Sequence, residues 1–283
     1  MGKIYMTACM KGGCAKTVTT YNLAYSLKEL GKKVLCVDFD SQANLSTCFG
    51  VENPVAVPVT IGHLMMAQID DDELPGFKEY IQSRNGVDFI SSSRMLSAVD
   101  AKLRLEMGAE KMLSEILEPL RDRYDVIIID TGSNIFDYTI SAILAATDIL
   151  ALSTCDVVSA KRIDGVLEDI LLNVDGFDRS RMKLLINRYD PTFNITPEEL
   201  SGVLQMPLIG VIPDCREITN VNNGGNSVFY GNTRSTDKQK AFANAVRSVA
   251  KRLLEIDAGE GSAPVEIWES NERGLFSFLF RRK

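Results

Sequence analysis

Histidine is almost absent from this sequence of 283 residues, in which His63 is the single example. One imidazole argues against Ser–His–Asp triads and excludes HExxH metal sites and Cys₂His₂ zinc sites, which take two histidines. Long apolar runs are also missing. None reaches the ~18–20 residues that cross a bilayer, and the first residues lack the apolar core of a signal peptide. We therefore expect a cytoplasmic protein without a membrane span.

Cysteine is scarce and scattered, with six residues and no CxxC pair, which predicts free thiols in a reducing cytosol. The six are Cys9, Cys14, Cys36, Cys48, Cys155 and Cys215. An excess of positive charge is lacking too. The 31 basic residues against 38 acidic ones give a net charge of −7, so contact with a nucleic acid would require a local basic patch.

Short apolar runs alternate with helix-like segments along most of the chain. The runs predict strands at 4–9, 33–37, 87–90, 125–130, 149–154, 183–186 and 207–212, and the segments predict helices at 17–30, 104–120, 135–146, 159–172 and 238–256. Several runs are apolar almost throughout, which is typical of strands covered by helices on both faces. The alternation predicts an α/β fold, a doubly wound and mostly parallel β-sheet flanked by helices.

The composition changes near the end of the chain. Residues 257–264 (DAGEGSAP) are small, polar and helix-breaking, as linkers are. We therefore divide the chain into a main domain at 1–256, a linker at 257–264 and a C-terminal tail at 265–283.

The first predicted strand leads through CMKGGCAKT into a helix, which is the context of a phosphate-binding loop. Glycines let backbone N–H groups curl towards an anion, and the helix N-terminus adds its positive dipole end. Lys16 would reach the phosphates and Thr17 would bind Mg²⁺. The strict GxxxxGK[ST] pattern is missed at Met10 and Ala15. The residues expected to line the nucleotide here are Gly12, Gly13, Cys14, Ala15, Lys16, Thr17 and Val18.

Two more predicted strands end in aspartates. Asp38 and Asp40 close the second strand (VDFDSQAN), and Asp130 closes a later one (VIIIDTG). Ligands bind at the carboxyl ends of the strands in such sheets. Each aspartate taken alone could instead cap a helix. Three strand ends with magnesium and phosphate chemistry, in this order, favour a nucleotide site.

Together these segments resemble the deviant Walker-A ATPases of the ParA/MinD family, over about residues 3–256. The resemblance implies a P-loop NTPase fold of SIMIBI type, the cofactors ATP and Mg²⁺, and an ATP-held homodimer. It implies that Lys11 crosses to the partner's phosphates, that Asp38 and Asp130 hold Mg²⁺, and that Asp40 orients the attacking water. The adenine contacts it implies are Asn187 (LLINRYDP) and Pro213 with Asp214 (IGVIPD).

The sequence departs from this family at two places. Ala15 replaces the usual glycine before the phosphate-loop lysine, and we expect a negative φ there that tolerates the methyl group, so that ATP binding survives. Gly132 and Ser133 stand where the family often has two prolines. We expect slow turnover stimulated by a protein partner; a scaffold that binds ATP without hydrolysing it remains the alternative.

The C-terminal tail bears on the surface to which such an ATPase would attach. It ends GLFSFLFRRK, and no acidic residue follows Glu272. A helix here would be too short to span a bilayer but suited to the headgroup region of an anionic membrane. The tail also resembles the membrane-targeting helix of MinD. The residues expected to contact lipid are Leu275, Phe276, Phe278, Leu279, Phe280, Arg281 and Arg282. The alternative is that these aromatics dock on the domain or on a partner.

DNA is the other candidate surface. Lys240, Arg247 and Lys251 fall on one face of the last predicted helix, either as a solvated face or as a site for an anionic surface. Asp214 and Glu217 stand where ParA-like proteins tend to have DNA-contacting arginines, and acidic groups repel phosphate. We therefore expect an ATP-dependent dimerising switch that positions cargo or a division or partition apparatus, peripheral on the membrane. A ParA-like partition ATPase that binds DNA nonspecifically is the alternative.

Overall fold

The computed structural model describes residues 1–9, 13–103, 111–132, 137–156, 174, 177–192, 195–230, 235–259 and 265. Several predictions lie outside these ranges: those for Lys11, Gly12 and Ser133, for a helix at 159–172, and for the lipid-contacting residues of the tail.

Within the described ranges the chain forms one eight-stranded sheet. Its strands are β1 (Lys3–Ala8), β2 (Val34–Phe39), β3 (Ile81–Arg84), β4 (Val87–Ile90), β5 (Val126–Thr131), β6 (Asp148–Ser153), β7 (Met182–Tyr189) and β8 (Leu208–Pro213). They lie in the order β3-β4-β2-β5-β1-β6-β7-β8, and every pair is parallel except β3 with β4. The predicted doubly wound, mostly parallel sheet is thus confirmed.

Strand β3 was not predicted. It pairs antiparallel with β4 through a two-residue turn, Asn85-Gly86, in which both residues have positive φ, 48° and 77°. Asn-Gly is the preferred sequence of such hairpin turns, so the signal was present in the sequence. The strand itself, IQSR, is half exposed and polar, which explains why the apolar pattern did not reveal it.

Ten helices are numbered within the described residues. They are α1 (Lys16–Glu29), α2 (Asn44–Cys48), α3 (Ile61–Ile69), α4 (Phe77–Tyr80), α5 (Met95–Leu103), α6 (Met112–Leu117), α7 (Asp137–Ala145), α8 (Pro197–Leu204), α9 (Glu217–Asn223) and α10 (Asp237–Asp257). Of the helix predicted at 104–120, residues 104–110 lie outside the described ranges; within the rest, α6 spans Met112–Leu117 and a 3₁₀ turn spans Glu118–Leu120. Pro119 has no N–H to continue an α-helix there.

Two apolar clusters hold the helices to the two faces of the sheet. Along β1, Ile4 and Met6 belong to the cluster shared with α3 and α5–α7, whereas Tyr5 belongs to the one shared with α1 and α10. This alternation follows from the two-residue repeat of a strand. At ~1.5–3 kcal/mol for each large apolar side chain that is fully buried, such burial is the main source of stability.

A polar network lies at the amino-terminal edge of the sheet. Lys183 pairs with Asp148, the Lys3 ammonium lies 3.3 Å from the Asp257 carboxylate, and the Tyr5 hydroxyl donates to the same carboxylate. Asp257 is the last residue of α10. At the other end of that helix, Thr236 donates to Glu217, the first residue of α9, which follows β8. Helix α10 therefore runs from the carboxyl edge of the sheet to the amino edge.

Candidate nucleotide-binding site

The sheet brings the predicted strand ends together. In the register of the parallel strands, Asp38 of β2 is opposite Asp130 of β5, and Asp130 is opposite Thr7 of β1. Strands β2, β5 and β1 are neighbours, and β1 leads into the phosphate loop, residues 10–17. The predicted meeting of the two aspartates with that loop is therefore found in the fold.

The Asp130 carboxylate is fully buried and joins the loop to the sheet. Its Oδ1 accepts from Lys16 Nζ at 2.9 Å and from the hydroxyls of Thr7 and Thr20 at 3.2 and 3.1 Å. Its Oδ2 accepts from the Thr17 hydroxyl at 2.7 Å. Lys16 also donates to the Thr131 carbonyl. The predicted phosphate ligand and two predicted metal ligands thus contact one another directly.

Asp38 is buried beside this group. Its Oδ2 accepts from the amide and the hydroxyl of Ser46, both at 2.7 Å, and its Oδ1 accepts from the Asp40 amide at 3.3 Å. Burial, and next the nearby charge of Asp130, raise the pKa of Asp38 to about 7. Asp40 itself follows β2 and is partly exposed, which suits a residue that would contact water.

This pKa predicts a pH-dependent stability. Since the Asp38 pKa is about 7 in the folded chain and near its ordinary 3.8 when unfolded, the folded state binds more protons between these values. The contribution of Asp38 to the free energy of unfolding must therefore fall as the pH rises from ~4 to ~7. In EDTA, we expect the melting temperature of Asp38→Asn minus that of the wild type to increase from pH 5 to pH 7.5. A difference that is constant with pH would contradict this.

The phosphate loop enters α1 through an unusual backbone. Gly13 has a φ of +87° and Ala15 a φ of +57°, so the expected negative φ at Ala15 is wrong. Ala15 is the N-cap of α1, and its side chain makes no capping hydrogen bond. The left-handed region costs an L-residue with a Cβ about 1–2 kcal/mol. Lys16, Thr17 and Val18 follow in the first turn of the helix.

This strain makes Ala15→Gly a stabilising change. The loss of ~1–2 kcal/mol of backbone strain exceeds the ~0.4–1 kcal/mol by which glycine favours the unfolded chain. We expect the melting temperature to rise by about 1–3 °C, measured by circular dichroism. A matched change, Ala24→Gly in the middle of α1, should lower it because a helix interior disfavours glycine. If both variants melt earlier than the wild type, the strain at Ala15 is not relieved by glycine.

The predicted adenine-contacting residues lie next to the same loop. The Asn187 amide donates to the Cys14 carbonyl at 2.6 Å and to the Thr19 hydroxyl at 2.8 Å. Pro213 ends β8 opposite Tyr189, and Asp214 follows it. Contact of these residues with adenine stays a prediction. The structure adds that Asn187 holds the phosphate loop to β7.

Sequence reasoning missed Arg188. Its Nη1 donates to the Gly13 carbonyl at 2.7 Å and its Nε to Asp214 Oδ1 at 2.9 Å. A basic residue beside the predicted adenine motif was the available signal. The direction of the Arg188 side chain could not be predicted, because the regular strand pattern places Asn187 and Arg188 on opposite faces.

The expectation of six free thiols is wrong at two positions. Cys9, after β1, and Cys14, in the phosphate loop, form a disulfide. The two cysteines are five positions apart in sequence, a spacing that did not suggest the pairing. The other four cysteines are free and buried, and burial raises the pKa of Cys48 to about 12 and that of Cys155 to about 11.

A count of thiols tests this pairing. Unfolded under non-reducing conditions, the protein should expose four thiols to a chromogenic disulfide reagent, and after reduction it should expose six. The Cys14→Val variant should expose five in both conditions, because its Cys9 has lost the partner. Six thiols in the non-reduced wild type would contradict the disulfide.

The donor set fits a hard divalent cation. Thr17, Asp38 and Asp130 offer a hydroxyl and two carboxylates, the oxygen ligands that Mg²⁺ prefers. Within the described ranges, no group of three His, Cys, Asp or Glu residues converges on one point. An ion here would therefore take most of its ligands from nucleotide oxygens and water, which is usual for Mg²⁺.

A parallel sheet with a phosphate loop after β1, and with aspartates at the ends of the neighbouring strands, defines a P-loop nucleotide-binding protein. The sequence profile of a family described as AAA domain matches residues 2–184. The septum site-determining protein MinD of Helicobacter pylori is 30% identical over 283 residues, covering 95% of this chain and 94% of that protein. The chain belongs to the ParA/MinD family of P-loop ATPases.

Two further comparisons agree. The MinD protein of Synechocystis is 28% identical over 264 residues, covering 89% of this chain and 90% of its own. The crystal structure of the cell division ATPase MinD from Pyrococcus furiosus superposes with a TM-score of 0.71 at 25% identity, covering 90% of this chain and all of that one. In the part of the chain that the structure describes, no helix is long and apolar enough to cross a membrane.

Proposed function

We propose that this chain is an ATP-dependent dimerising switch that uses Mg²⁺, hydrolyses ATP slowly and positions a division or partition apparatus. The observation that carries the proposal is the contact of Lys16 and Thr17 with the buried Asp130 carboxylate. This contact supports the proposal because the cation, the hydroxyl and the carboxylate to which we assign phosphate and magnesium binding lie within one hydrogen-bonded group.

We assign the following roles to the residues of the site. Backbone N–H groups of the phosphate loop and the Lys16 ammonium bind the phosphates, so Lys16 must leave Asp130 when nucleotide enters. Thr17, Asp38 and Asp130 would then hold Mg²⁺, which neutralises charge on the phosphate oxygens. Asp40 orients the attacking water, and Lys11 of each subunit reaches the phosphates bound by the other. The last two roles follow from the family resemblance.

The relatives suggest what the switch positions. The MinD proteins are, by name, septum site-determining proteins. We propose a related role for this chain, with a homodimer as the active form and with a protein partner that stimulates hydrolysis.

Membrane attachment through the C-terminal tail is the part of the proposal that concerns location. One short amphipathic tail binds lipid weakly, and two tails in one dimer gain avidity through their effective concentration. ATP would therefore favour the membrane-bound state, and hydrolysis would release the protein.

Helix α10 bears on the DNA alternative. Of the three cations on its predicted basic face, Lys240 pairs with Asp237 at 3.0 Å and Arg247 pairs with Glu29 at 3.0 Å. The Arg247 guanidinium also lies over the Phe229 ring. Charges that already have carboxylate partners attract a phosphate backbone less. This favours lipid over DNA as the anionic surface.

Gel filtration with light scattering tests the switch. We expect a dimer with Mg·ATP and a monomer with Mg·ADP, and Asp40→Asn should prolong the dimer because hydrolysis is blocked.

Co-sedimentation with anionic vesicles and retention on nonspecific DNA, each measured with ATP and with ADP, test the location. Equal vesicle binding with both nucleotides refutes the coupling, and salt-sensitive, ATP-dependent retention on DNA selects the alternative.

A further inference from the structure

An irregularity in β7 turns two consecutive side chains towards the phosphate loop. The pairing of β7 with β8 shifts register between Ile186 and Tyr189, and Arg188 has a left-handed φ of +52°. Successive side chains of a regular strand point to opposite faces. Here Asn187 donates to the Cys14 carbonyl and Arg188 to the Gly13 carbonyl, at 2.6 and 2.7 Å. Such bulges often re-aim a side chain beside an active site.

The Arg188 guanidinium also contacts a second loop. Its Nε donates to Asp214 Oδ1 at 2.9 Å, and Asp214 directly follows β8. One planar group thus joins a carbonyl of the phosphate loop to the carboxylate beside the predicted adenine pocket. Arginine suits this role because its donors are fixed in a rigid fork, whereas the single ammonium of lysine has no such fixed geometry. The bond to the carboxylate is charge-assisted and therefore stronger than a neutral one.

We infer that Arg188 is a positioning residue that holds the phosphate loop at a fixed separation from Asp214, so that the two halves of one nucleotide are bound as a unit. The inference rests on the proposed function, in which ATP occupies this site. It assigns no chemical step to Arg188, whose guanidinium acts through Gly13 and Asp214.

Calorimetry with Mg·ATP tests the inference. We expect Arg188→Ala to raise the dissociation constant about tenfold, the cost of one charge-assisted hydrogen bond. The KM for ATP should rise by a similar factor, while kcat at saturation stays within about twofold of the wild type. Arg188→Lys should recover part of the affinity, since an ammonium can bond one of the two oxygens but not both.

Arg216→Ala is the matched control. The Arg216 side chain is 82% exposed, and its Nε lies 3.4 Å from the other oxygen of the same Asp214 carboxylate. Its removal deletes a positive charge beside Asp214 without deleting a bond to the phosphate loop. Its dissociation constant should stay within about twofold of the wild type, as expected for an exposed pair. An equal loss in Arg216→Ala and Arg188→Ala would overturn the inference, because local charge would then explain both.

Binding of inorganic tripolyphosphate with Mg²⁺ separates positioning from a general loss of fold. In the wild type, ATP should bind more tightly than tripolyphosphate because both loops contact it. In Arg188→Ala this advantage should shrink about tenfold, whereas an unchanged advantage overturns the inference. If Arg188→Ala does not fold, the ratio of the dissociation constants for tripolyphosphate and ATP is compared between the wild type and Arg188→Lys instead. If the wild type binds no ATP, the proposed function fails; if it binds ATP and Arg188→Ala binds it equally well, only the inference fails.

Discussion

Lys16→Ala should strongly weaken nucleotide binding. The Lys16 side chain is 8% exposed, and in the proposed function it provides the charge that reaches the phosphates; loss of a charged hydrogen bond costs up to ~3 kcal/mol. We expect the dissociation constant for Mg·ATP to rise about 100-fold in calorimetry. The ATP-dependent dimer should disappear with it.

A loss of stability has to be separated from this effect, because Lys16→Ala leaves Asp130 buried without its cation. Breaking a buried ion pair costs ~3–5 kcal/mol. Lys183→Ala is the matched control: Lys183 is also 8% exposed and pairs with Asp148, but at the amino-terminal edge of the sheet. This variant should melt earlier and still bind ATP at wild-type affinity. If Lys16→Ala keeps nucleotide binding and dimerisation, the proposed function is wrong.

Removal of the tail is expected to have the second large effect. A chain that ends after Glu272 lacks the five apolar residues from Leu275 to Phe280 and the basic residues that follow. Each large apolar side chain buried in lipid contributes ~1.5–3 kcal/mol, and the dimer doubles the number of tails. With Mg·ATP, we expect at least about tenfold less protein to sediment with anionic vesicles.

The position of this truncation matters. Val265 packs against the apolar cluster shared with α3 and α5–α7, so a cut before it would remove part of the folded domain. The shortened chain should bind ATP and dimerise like the full chain, which gel filtration checks. Zwitterionic vesicles are the lipid control. Equal sedimentation of both chains with anionic vesicles would remove the tail from the proposal and leave the nucleotide switch intact.

Much of the fold and the acidic part of the site could be predicted from the sequence. Continuous apolar runs such as 126–129 identify buried parallel strands. Because the carboxyl ends of parallel strands share one edge, Asp38 and Asp130 had to meet the phosphate loop once the strand order was that of a P-loop protein. Those predictions depend on periodicity and topology, which sequence patterns encode.

The features that escaped prediction depend on local backbone geometry. The sign of φ at Ala15 is set by the turn into α1, and the presence of an alanine does not predict a positive φ. The aim of Arg188 depends on a one-residue irregularity in β7 that reverses the normal alternation of side chains. The Cys9–Cys14 disulfide joins the residue after β1 to the residue before the N-cap of α1. None of these has a periodic signature, and all three affect the loop that would hold the nucleotide.

The course of helix α10 limits how a nucleotide can influence the tail. Its 21 residues extend about 31 Å at 1.5 Å per residue, from Thr236 beside α9 to Asp257 against β1. Asp257, the last residue of α10, therefore lies at the edge of the sheet opposite the phosphate loop. In the proposed switch, nucleotide would then act on lipid binding through the number of tails in each particle, one before pairing and two after it.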